Sequence, residues 1–227
     1  MTTSRPPRLK EFQAFFQSRV NNLTPRTECV WVSNQVPVEA LAAGYPLGVF
    51  PWPGDDPECF PWVCPRVRGV LPLEAFSLGR STRRALKRSS FTVTFDQAFS
   101  QVITSCHESH QPESWIHPRM QEAYIAAHRE GFAHSVEVWE GDEVVGGLYG
   151  IDSGFFFSGE SMFHLRPNAG KAAIQALVAK TKARGDQILD IQQCTPHMNA
   201  MGAESWSRKT FLEFLEKEST RRSSSFF

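Results

Sequence analysis

The spacing of hydrophobic residues near the start of the chain predicts two helices. Leu9, Phe12, Phe16 and Val20 recur every three or four positions, which is typical of an amphipathic surface helix. The stretch VPVEALAAGY predicts a short second helix that ends near Gly44. Both helices fall in the first quarter of the chain, before the pattern changes.

A proline-rich stretch follows at residues 48–66, GVFPWPGDDPECFPWVCPR. It holds five prolines, two tryptophans and two phenylalanines, and proline at this density disfavours helices and central strands. We therefore expect a rigid aromatic loop here. Residues 1–66 together predict a small N-terminal domain, and residues 67–218 predict a second, larger domain.

Strands and helices then alternate up to residue 131. RGVLPL predicts a strand, and FTVTF predicts another by its β-branched alternation. Between them, STRRALKRSS predicts a helix capped by Ser81 or Thr82. A helix capped by Asp96 should follow, and the next helix should end at Gly131.

The second half predicts a meander of three antiparallel strands over residues 133–163, divided by turns at Gly141-Asp142 and Asp152 to Gly154. A helix from Asn168 to Gly185, the strand QILDIQQ and the helix SRKTFLEFLEKE come next. This order predicts an α+β fold in which one helix crosses a mixed sheet, the plan of an acyltransferase core. Residues 219–227 predict a disordered tail.

Composition narrows the class of protein. Hydrophobic residues make up 41% of the 227 residues and charged residues 21%, and the formal net charge is zero, so any site for a polyanion must be a local patch. The five cysteines form no CxxC pair, which indicates reduced thiols in a cytosolic protein. The sequence shows no signal peptide and no apolar run of about 18 residues, so we expect no membrane segment.

Three polar residues stand out against apolar surroundings. Glu160 lies in FFFSGESMF, and strand periodicity puts Asp190 and Gln192 on one face of ILDIQQ. Burying a carboxylate is costly unless it is paired, so we expect these three side chains to meet, with the amide bridging the acids. They would either carry chemistry or form a buried network that fixes strand register.

Two stretches could bind anions. Arg80, Arg83, Arg84, Lys87 and Arg88 share one face of a helix, which is consistent with a polyanion partner, although the pattern alone favours a plain solvated surface. The stretch RPNAGKAAI lacks the glycines of a nucleotide-binding loop, but Lys171 in the first helical turn could hold one phosphate or carboxylate. Ordinary helix capping is the alternative there.

Other catalytic signatures fail. Phe163 occupies the glycine position that a serine nucleophile elbow would need in GESMF, so Ser161 is excluded. His107, His110 and His117 lack a neighbouring cysteine or carboxylate set, so surface or capping roles are favoured and no metal site is predicted.

An ordered series of stretches resembles the leucyl/phenylalanyl-tRNA–protein transferases over about residues 36–216: GVFPWP, ESWI, GFAHSVEVWEGDEVVGGLYG, FFSGESMF, RPNAGKAAI, LDIQQCTPHMNAMGA and RKTFLEFL. The resemblance implies a bacterial, cytosolic enzyme that moves Leu, Phe or Met from aminoacyl-tRNA to an N-terminal Arg or Lys of a protein, marking it for degradation. It implies an acyltransferase-like (GNAT-like) catalytic domain that uses tRNA in place of coenzyme A and needs no metal or other cofactor. We expect a monomer that does not bind membranes.

The resemblance also implies roles for individual residues. Glu160 would contact the aminoacyl-adenosine end, while Asp190, through or beside Gln192, would orient the attacking amine and accept its proton. Trp115 would stack on the terminal adenine. The pocket for the amino-acid side chain would be lined by Leu148, Phe157, Met162, Ile174 and Leu177. The phosphates of the acceptor stem would be held by Arg83, Arg84, Lys87 and Arg88.

Several positions depart from the family pattern. Glu113 and Ser114 precede Trp115 where Gly and Thr are usual, and His164 and Gly170 each stand in place of a serine. Two alternatives therefore stay open: a related enzyme that acylates a non-protein amine, and a non-catalytic protein that binds tRNA.

Overall fold

Two β-sheets and eight α-helices organise the part of the chain that the computed structural model describes, residues 7–52, 58–112 and 114–220. The helices are α1 Pro7–Asn21, α2 Val38–Gly44, α3 Arg80–Arg88, α4 Phe99–Ser109, α5 Pro118–Arg129, α6 Ala169–Arg184, α7 Pro196–Asn199 and α8 Arg208–Ser219. The strands are β1 Cys29–Ser33, β2 Phe50–Pro51, β3 Phe60–Val63, β4 Val67–Pro72, β5 Thr92–Phe95, β6 Ala133–Glu140, β7 Glu143–Asp152, β8 Phe157–His164, β9 Ile188–Gln192 and β10 Glu204–Ser207.

The larger sheet has seven strands in the order β10-β4-β9-β8-β7-β6-β5. Its neighbours are antiparallel except β8 and β9, which are parallel, and α6 is the crossover that a parallel pair requires. The expected α+β fold with a mixed sheet is confirmed, and so is the meander of β6, β7 and β8 with its two turns. The smaller sheet, β1-β3-β2, precedes residue 64.

The two sheets share one hydrophobic core. A single cluster of buried side chains includes Phe16 and Trp62 from the N-terminal part together with Ile103, Tyr124 and Phe163 from the larger part. The division at residues 66 and 67 therefore separates two sheets but not two cores, and the two-domain description stays a prediction.

The proline-rich stretch is not a loop throughout, and this prediction was wrong. Residues 60–63 form β3, the central strand of the smaller sheet, between β2 and a first strand, β1, that hydrophobic patterning missed. Phe60 and Trp62 are fully buried, and the Pro61 carbonyl accepts the Trp52 N–H at 2.7 Å. Burial of two aromatic rings offsets the single donor that proline lacks.

Two predicted helix caps were also wrong. Gly79, rather than Ser81 or Thr82, precedes α3, and Ala98 rather than Asp96 precedes α4. The Asp96 carboxylate accepts hydrogen bonds from the Ser135 N–H at 2.7 Å and bonds His134 Nδ1 at 2.6 Å. A tertiary partner on β6 thus took the carboxylate that local capping would have used.

The other helix boundaries agree with the sequence. Asn168 precedes α6, although it makes no side-chain cap, and Gly185 ends α6 in the left-handed region with φ 95°. Gly131, with φ 83°, closes the turn after α5. The final helix reaches Ser219. Residues 221–227, which make up most of the predicted tail, lie outside the described residues.

Two further features of the fold concern the cysteines and the helices. All five cysteine thiols are free. Within the described ranges, no helix combines the length and the apolar character needed to cross a bilayer.

Gly69 is required by a close approach of two backbones. A Cβ atom at this position would lie 2.5 Å from the Gln193 carbonyl carbon and 2.7 Å from the Cys194 nitrogen. We expect Gly69→Ala to lower the free energy of unfolding by about 1–3 kcal/mol, because backbone atoms must move. Gly79→Ala is the control, since nothing lies within 4 Å of its Cβ position. Urea denaturation of both variants tests this, and equal midpoints would contradict it.

Candidate active site

The central strands of the larger sheet separate to form a cavity. β8 and β9 pair at Phe157 with Leu189 and at Ser158 with Asp190, and no further pair joins these two fully described strands. Beyond this point lies a cavity of about 260 Å³. Its wall includes five side chains for which the sequence predicted contact with substrate: Trp115, Leu148, Met162, Ile174 and Leu177.

Glu160 reaches this cavity because β8 contains a bulge. Gly150 pairs with Gly159 and Tyr149 pairs with Ser161, so Glu160 is the extra residue on β8. Bulges re-aim a side chain out of the regular alternation of a strand. The Glu160 carboxylate accordingly lines the cavity while the neighbouring positions of β8 stay paired with β7.

Tyrosine hydroxyls hold the Glu160 carboxylate from the side of α5. The Tyr124 hydroxyl donates to Glu160 Oε2 at 2.8 Å, and the Tyr45 hydroxyl lies 2.7 Å from the Tyr124 hydroxyl. Tyr149, whose ring centroid is 5.4 Å from that of Tyr124, completes the group. These are all three tyrosines of the chain, and each is fully buried.

Burial makes Glu160 a weak acid. It raises the pKa of Glu160 to about 7 from an ordinary 4.5, although the hydrogen bonds from Tyr124 and Tyr45 oppose this rise. The negative charge of Asp190 raises the pKa further, and Arg68 lowers it. Glu160 therefore changes charge near neutral pH, whereas burial raises the pKa of Tyr45 and Tyr124 well above 10 and keeps both protonated.

Asp190 is fully buried and has a cation as its main partner. Arg68 donates from Nε to Oδ1 at 2.7 Å and from its terminal nitrogen to Oδ2 at 2.6 Å. The Ser158 hydroxyl and the Gln192 N–H donate to the same carboxylate at 2.8 and 3.0 Å. Four hydrogen bonds leave Asp190 enclosed, and it does not line the cavity.

Gln192 connects the two acids, but its side-chain amide does not bridge both of them as the sequence predicted. Its side-chain nitrogen donates to Glu160 Oε1 at 2.6 Å, while its backbone N–H binds Asp190. Gln192 has φ 59°, a left-handed conformation that is rare for a residue other than glycine. Such backbone strain persists where surrounding bonds enforce it, and here Asp190 supplies one of them.

Arg68 was missed by the sequence analysis, although it is central to this arrangement. It also donates to the Gly48 carbonyl at 3.1 Å, and its guanidinium lies over the Phe50 and Phe211 rings at 4.3 and 4.8 Å. The signal was available, since a buried aspartate requires a cation and Arg68 opens an otherwise apolar strand. Tyr45 and Tyr124 carried no comparable signal.

Phe157 is the one predicted pocket residue that does not line the cavity. It is fully buried and belongs to the same hydrophobic cluster as Leu148, Ile174 and Leu177. It therefore lies in the core that supports the cavity wall.

Comparison with known proteins identifies the family. The family model for leucyl/phenylalanyl-tRNA protein transferase matches residues 70–216 of the 227. The chain belongs to this family. A transferase of that name from Novosphingobium aromaticivorans is 44% identical over 186 residues, covering 80% of this chain and 70% of the relative. Another, from Myxococcus xanthus, is 42% identical and covers 85% of each chain.

Family membership makes the chain an aminoacyltransferase that uses aminoacyl-tRNA and a protein acceptor. It does not favour a non-protein amine or a non-catalytic role. A distantly similar solved structure is an aminoglycoside acetyltransferase from an uncultured soil metagenomic sample, with TM-score 0.37 and 17% identity over 47% of this chain and 82% of that one.

The cluster of basic residues that the sequence analysis singled out lies on the exposed helix α3. None of the residues of α3 is buried, and Arg80, Arg84 and Arg88 line an open groove of about 790 Å³. Among the ion pairs formed within the described ranges, none involves this helix. Its positive charge is therefore available to an anion.

The histidines considered as metal ligands take part in ordinary hydrogen bonds. His107 Nδ1 lies 2.9 Å from the Ser114 hydroxyl, and His110 Nδ1 lies 2.7 Å from the Cys106 carbonyl oxygen. Glu113, which the family comparison also drew attention to, lies outside the described residues.

The buried pair of Arg68 and Asp190 gives a first prediction for this site. Arg68→Met should lower the free energy of unfolding by about 3–5 kcal/mol, because Asp190 would remain buried without a cation. Adding Asp190→Asn should restore part of that loss. Arg66→Met is the matched control: Arg66 pairs with Glu28 at 3.2 Å and is 59% exposed, so its loss should cost under about 1 kcal/mol. Equal losses for the two single variants in urea denaturation would contradict the assignment.

Glu160 gives a second prediction, on the pH dependence of stability. Below pH 4.5 the carboxyl is protonated in both states; between 4.5 and about 7 only the unfolded chain has released the proton. The free energy of unfolding should therefore fall as pH rises through this window. Glu160→Gln should remove that fall. Thermal unfolding of both proteins from pH 4.5 to 8 measures it, and parallel curves would show that Glu160 titrates normally.

Proposed function

We propose that the cavity between β8 and β9 binds the aminoacyl end of charged tRNA and transfers Leu, Phe or Met to the α-amine of a protein that begins with Arg or Lys. The observation that carries this proposal is the hydrogen bond from Gln192 to Glu160, the carboxyl that lines a mainly apolar cavity. An aminoacyl ester has the same two parts: an apolar side chain and a polar ammonium and ribose.

The apolar wall suits the donor's side chain. Leu148 of β7, Ile174 and Leu177 of α6 and Met162 of β8 line the cavity together. Such a pocket distinguishes side chains by about 1–3 kcal/mol per methylene, which favours large apolar donors such as Leu, Phe and Met over small ones. Trp115, half-buried at the same cavity, provides a surface on which the terminal adenine stacks, worth about 1–3 kcal/mol.

The reaction itself needs positioning more than strong acid or base catalysis. The neutral acceptor amine attacks the ester carbonyl, a C–N bond forms, the bond to the ribose oxygen breaks, and one amine proton ends on that oxygen. The amine has a pKa of about 8, so a usable neutral fraction exists at pH 7. Correct placement of the two reactants contributes up to about 7–11 kcal/mol in favourable cases.

Gln192 and Glu160 are the groups that meet the substrates in this proposal. The Gln192 side-chain oxygen accepts a hydrogen bond from the attacking amine, because the side-chain nitrogen already donates to Glu160. Ionised Glu160 binds the donor's ammonium or ribose hydroxyl. Asp190, enclosed and paired with Arg68, is a positioning residue that acts through the Gln192 backbone.

The acceptor approaches from the opposite side of Gln192. A second cavity of about 630 Å³ is lined by Gln192 and by Trp52 and Glu28 of the N-terminal part. The backbone hydrogen bond from Arg66 lowers the pKa of Glu28, so this carboxylate is ionised at neutral pH. Glu28 already pairs with Arg66 at 3.2 Å in the same cavity, so a basic first residue of the acceptor would share this carboxylate with Arg66.

The remaining assignments concern tRNA and location. Arg83, Arg84, Lys87 and Arg88 of α3 hold phosphates of the acceptor stem, which makes donor binding weaken as salt rises. The protein acts in the cytoplasm, where charged tRNA is present, and acts as a monomer.

A transfer assay tests this function. Purified protein should move labelled Phe or Leu from charged tRNA onto a peptide that begins with Arg or Lys, and prior RNase treatment should abolish transfer. Gln192→Ala should reduce kcat by about a hundredfold, because the amine is no longer oriented. Gln187→Ala, an exposed glutamine beside the other end of β9, is the control and should retain activity.

Other outcomes would point elsewhere. Consumption of charged tRNA with a small amine, but not with peptides, would favour the non-protein acceptor. Salt-sensitive tRNA binding without any turnover would indicate a binding protein.

A further inference from the structure

A cationic cavity adjoins the aminoacyl cavity. It encloses about 510 Å³ and lies where β8 ends and α6 begins. His110, Met162 and His197 line both cavities, so the two are continuous. His164 and Lys171 belong to this second cavity, and no aspartate or glutamate is among its described lining residues.

Three basic side chains in this cavity lie close enough to affect one another. Partial burial lowers the pKa of His197, and the nearby Lys171 and His164 lower it further. None of these three side chains takes part in an ion pair or a hydrogen bond within the described part of the chain. Lys171 carries the positive charge of this cavity, and the ring N–H groups of the two histidines are further donors, so an anion would meet one charge and two donors with no opposing acid among the described lining residues.

The backbone at this place also favours an anion. Asn168, Gly170 and Lys171 line the cavity at the N-terminus of α6, a helix of 16 residues. Such a terminus carries partial positive charge and unpaired N–H groups. A Cβ at Gly170 would lie 2.5 Å from the methyl group of Met162, so a side chain there would displace Met162, which lines both cavities.

We infer that this cavity binds a phosphate, the phosphodiester on the 5′ side of the donor's terminal adenosine, through His164, Lys171 and His197. The inference rests on the proposed function. Suppose that the aminoacyl group occupies the first cavity and the adenine lies on Trp115. The 5′ phosphate of the same nucleoside then extends towards His110 and His197, which line both cavities. The second cavity opens on that side.

A comparison of two small donors measures the contribution of this phosphate to binding without the rest of the tRNA. One is phenylalanyl-adenosine with a free 5′ hydroxyl, and the other is the same ester with a 5′ phosphate. We expect the wild-type protein to show a KM at least about tenfold lower for the phosphorylated donor, since hydrogen bonds to charged groups are worth this much. In His164→Ser/Lys171→Ala the ratio of the two KM values should fall to about one, mainly because the KM of the phosphorylated donor rises.

Lys182→Ala is the matched control. It removes a lysine from the last turn of the same helix, where Lys182 pairs with Glu74 at 3.3 Å. This variant should keep the tenfold preference. Inorganic phosphate should compete with the phosphorylated donor in the wild type and lose that effect in the double variant.

Each other result would overturn the inference or its premise. Equal KM values in the wild type, or a preference that survives in the double variant, would show that the phosphate binds elsewhere. Inhibition by inorganic phosphate without any donor preference would mean that the cavity holds a free anion. No transfer from either donor or from charged tRNA would overturn the proposed function itself.

Discussion

The buried ion pair between Arg68 and Asp190 is the interaction on which the site depends. Arg68 reaches from β4 to β9 and also contacts Gly48, Phe50 and Phe211, so one side chain joins the N-terminal part, the large sheet and α8. A buried pair of charges is weak evidence for stability, because desolvation offsets the attraction. Its consequence here is conformational: Asp190 is held where it fixes the left-handed backbone of Gln192, and Gln192 then reaches Glu160.

The same pair explains how two carboxylates can lie near one another in the interior. Arg68 pairs with Asp190, while burial raises the pKa of Glu160 to about 7. The bulge in β8 and the separation of β8 from β9 place that one carboxyl at the end of an apolar cavity. Burial raises the pKa of this carboxyl, and hydrogen bonds from the Tyr45 and Tyr124 hydroxyls limit the rise. The fold thereby provides one carboxyl group that changes charge near neutral pH.

Local patterns predicted the parts of the fold that local interactions determine. The meander, α6 and its closing glycine followed from strand alternation, turn residues and helical spacing, and the meeting of Glu160 with Gln192 followed from the cost of burying polar groups. Tertiary contacts decided what failed. β3 forms despite Pro61 because its aromatic residues are buried, and Asp96 caps no helix because β6 takes its carboxylate. The contacts of Arg68 and Tyr45 join distant segments, which spacing along one chain does not reveal.

Charge placement, rather than total charge, is what adapts this neutral chain to a polyanionic donor. With a net charge of zero, no long-range field draws nucleic acid to the whole surface. The positive charge is instead concentrated on α3 and around the cavity of His164, Lys171 and His197, both without acidic partners in the described structure. Screening shortens the reach of each group to about 8–10 Å, so each acts on the phosphates that touch it. Under the proposed function a donor would have to satisfy separate local sites together, and this requirement would select the end of a tRNA over nucleic acid in general.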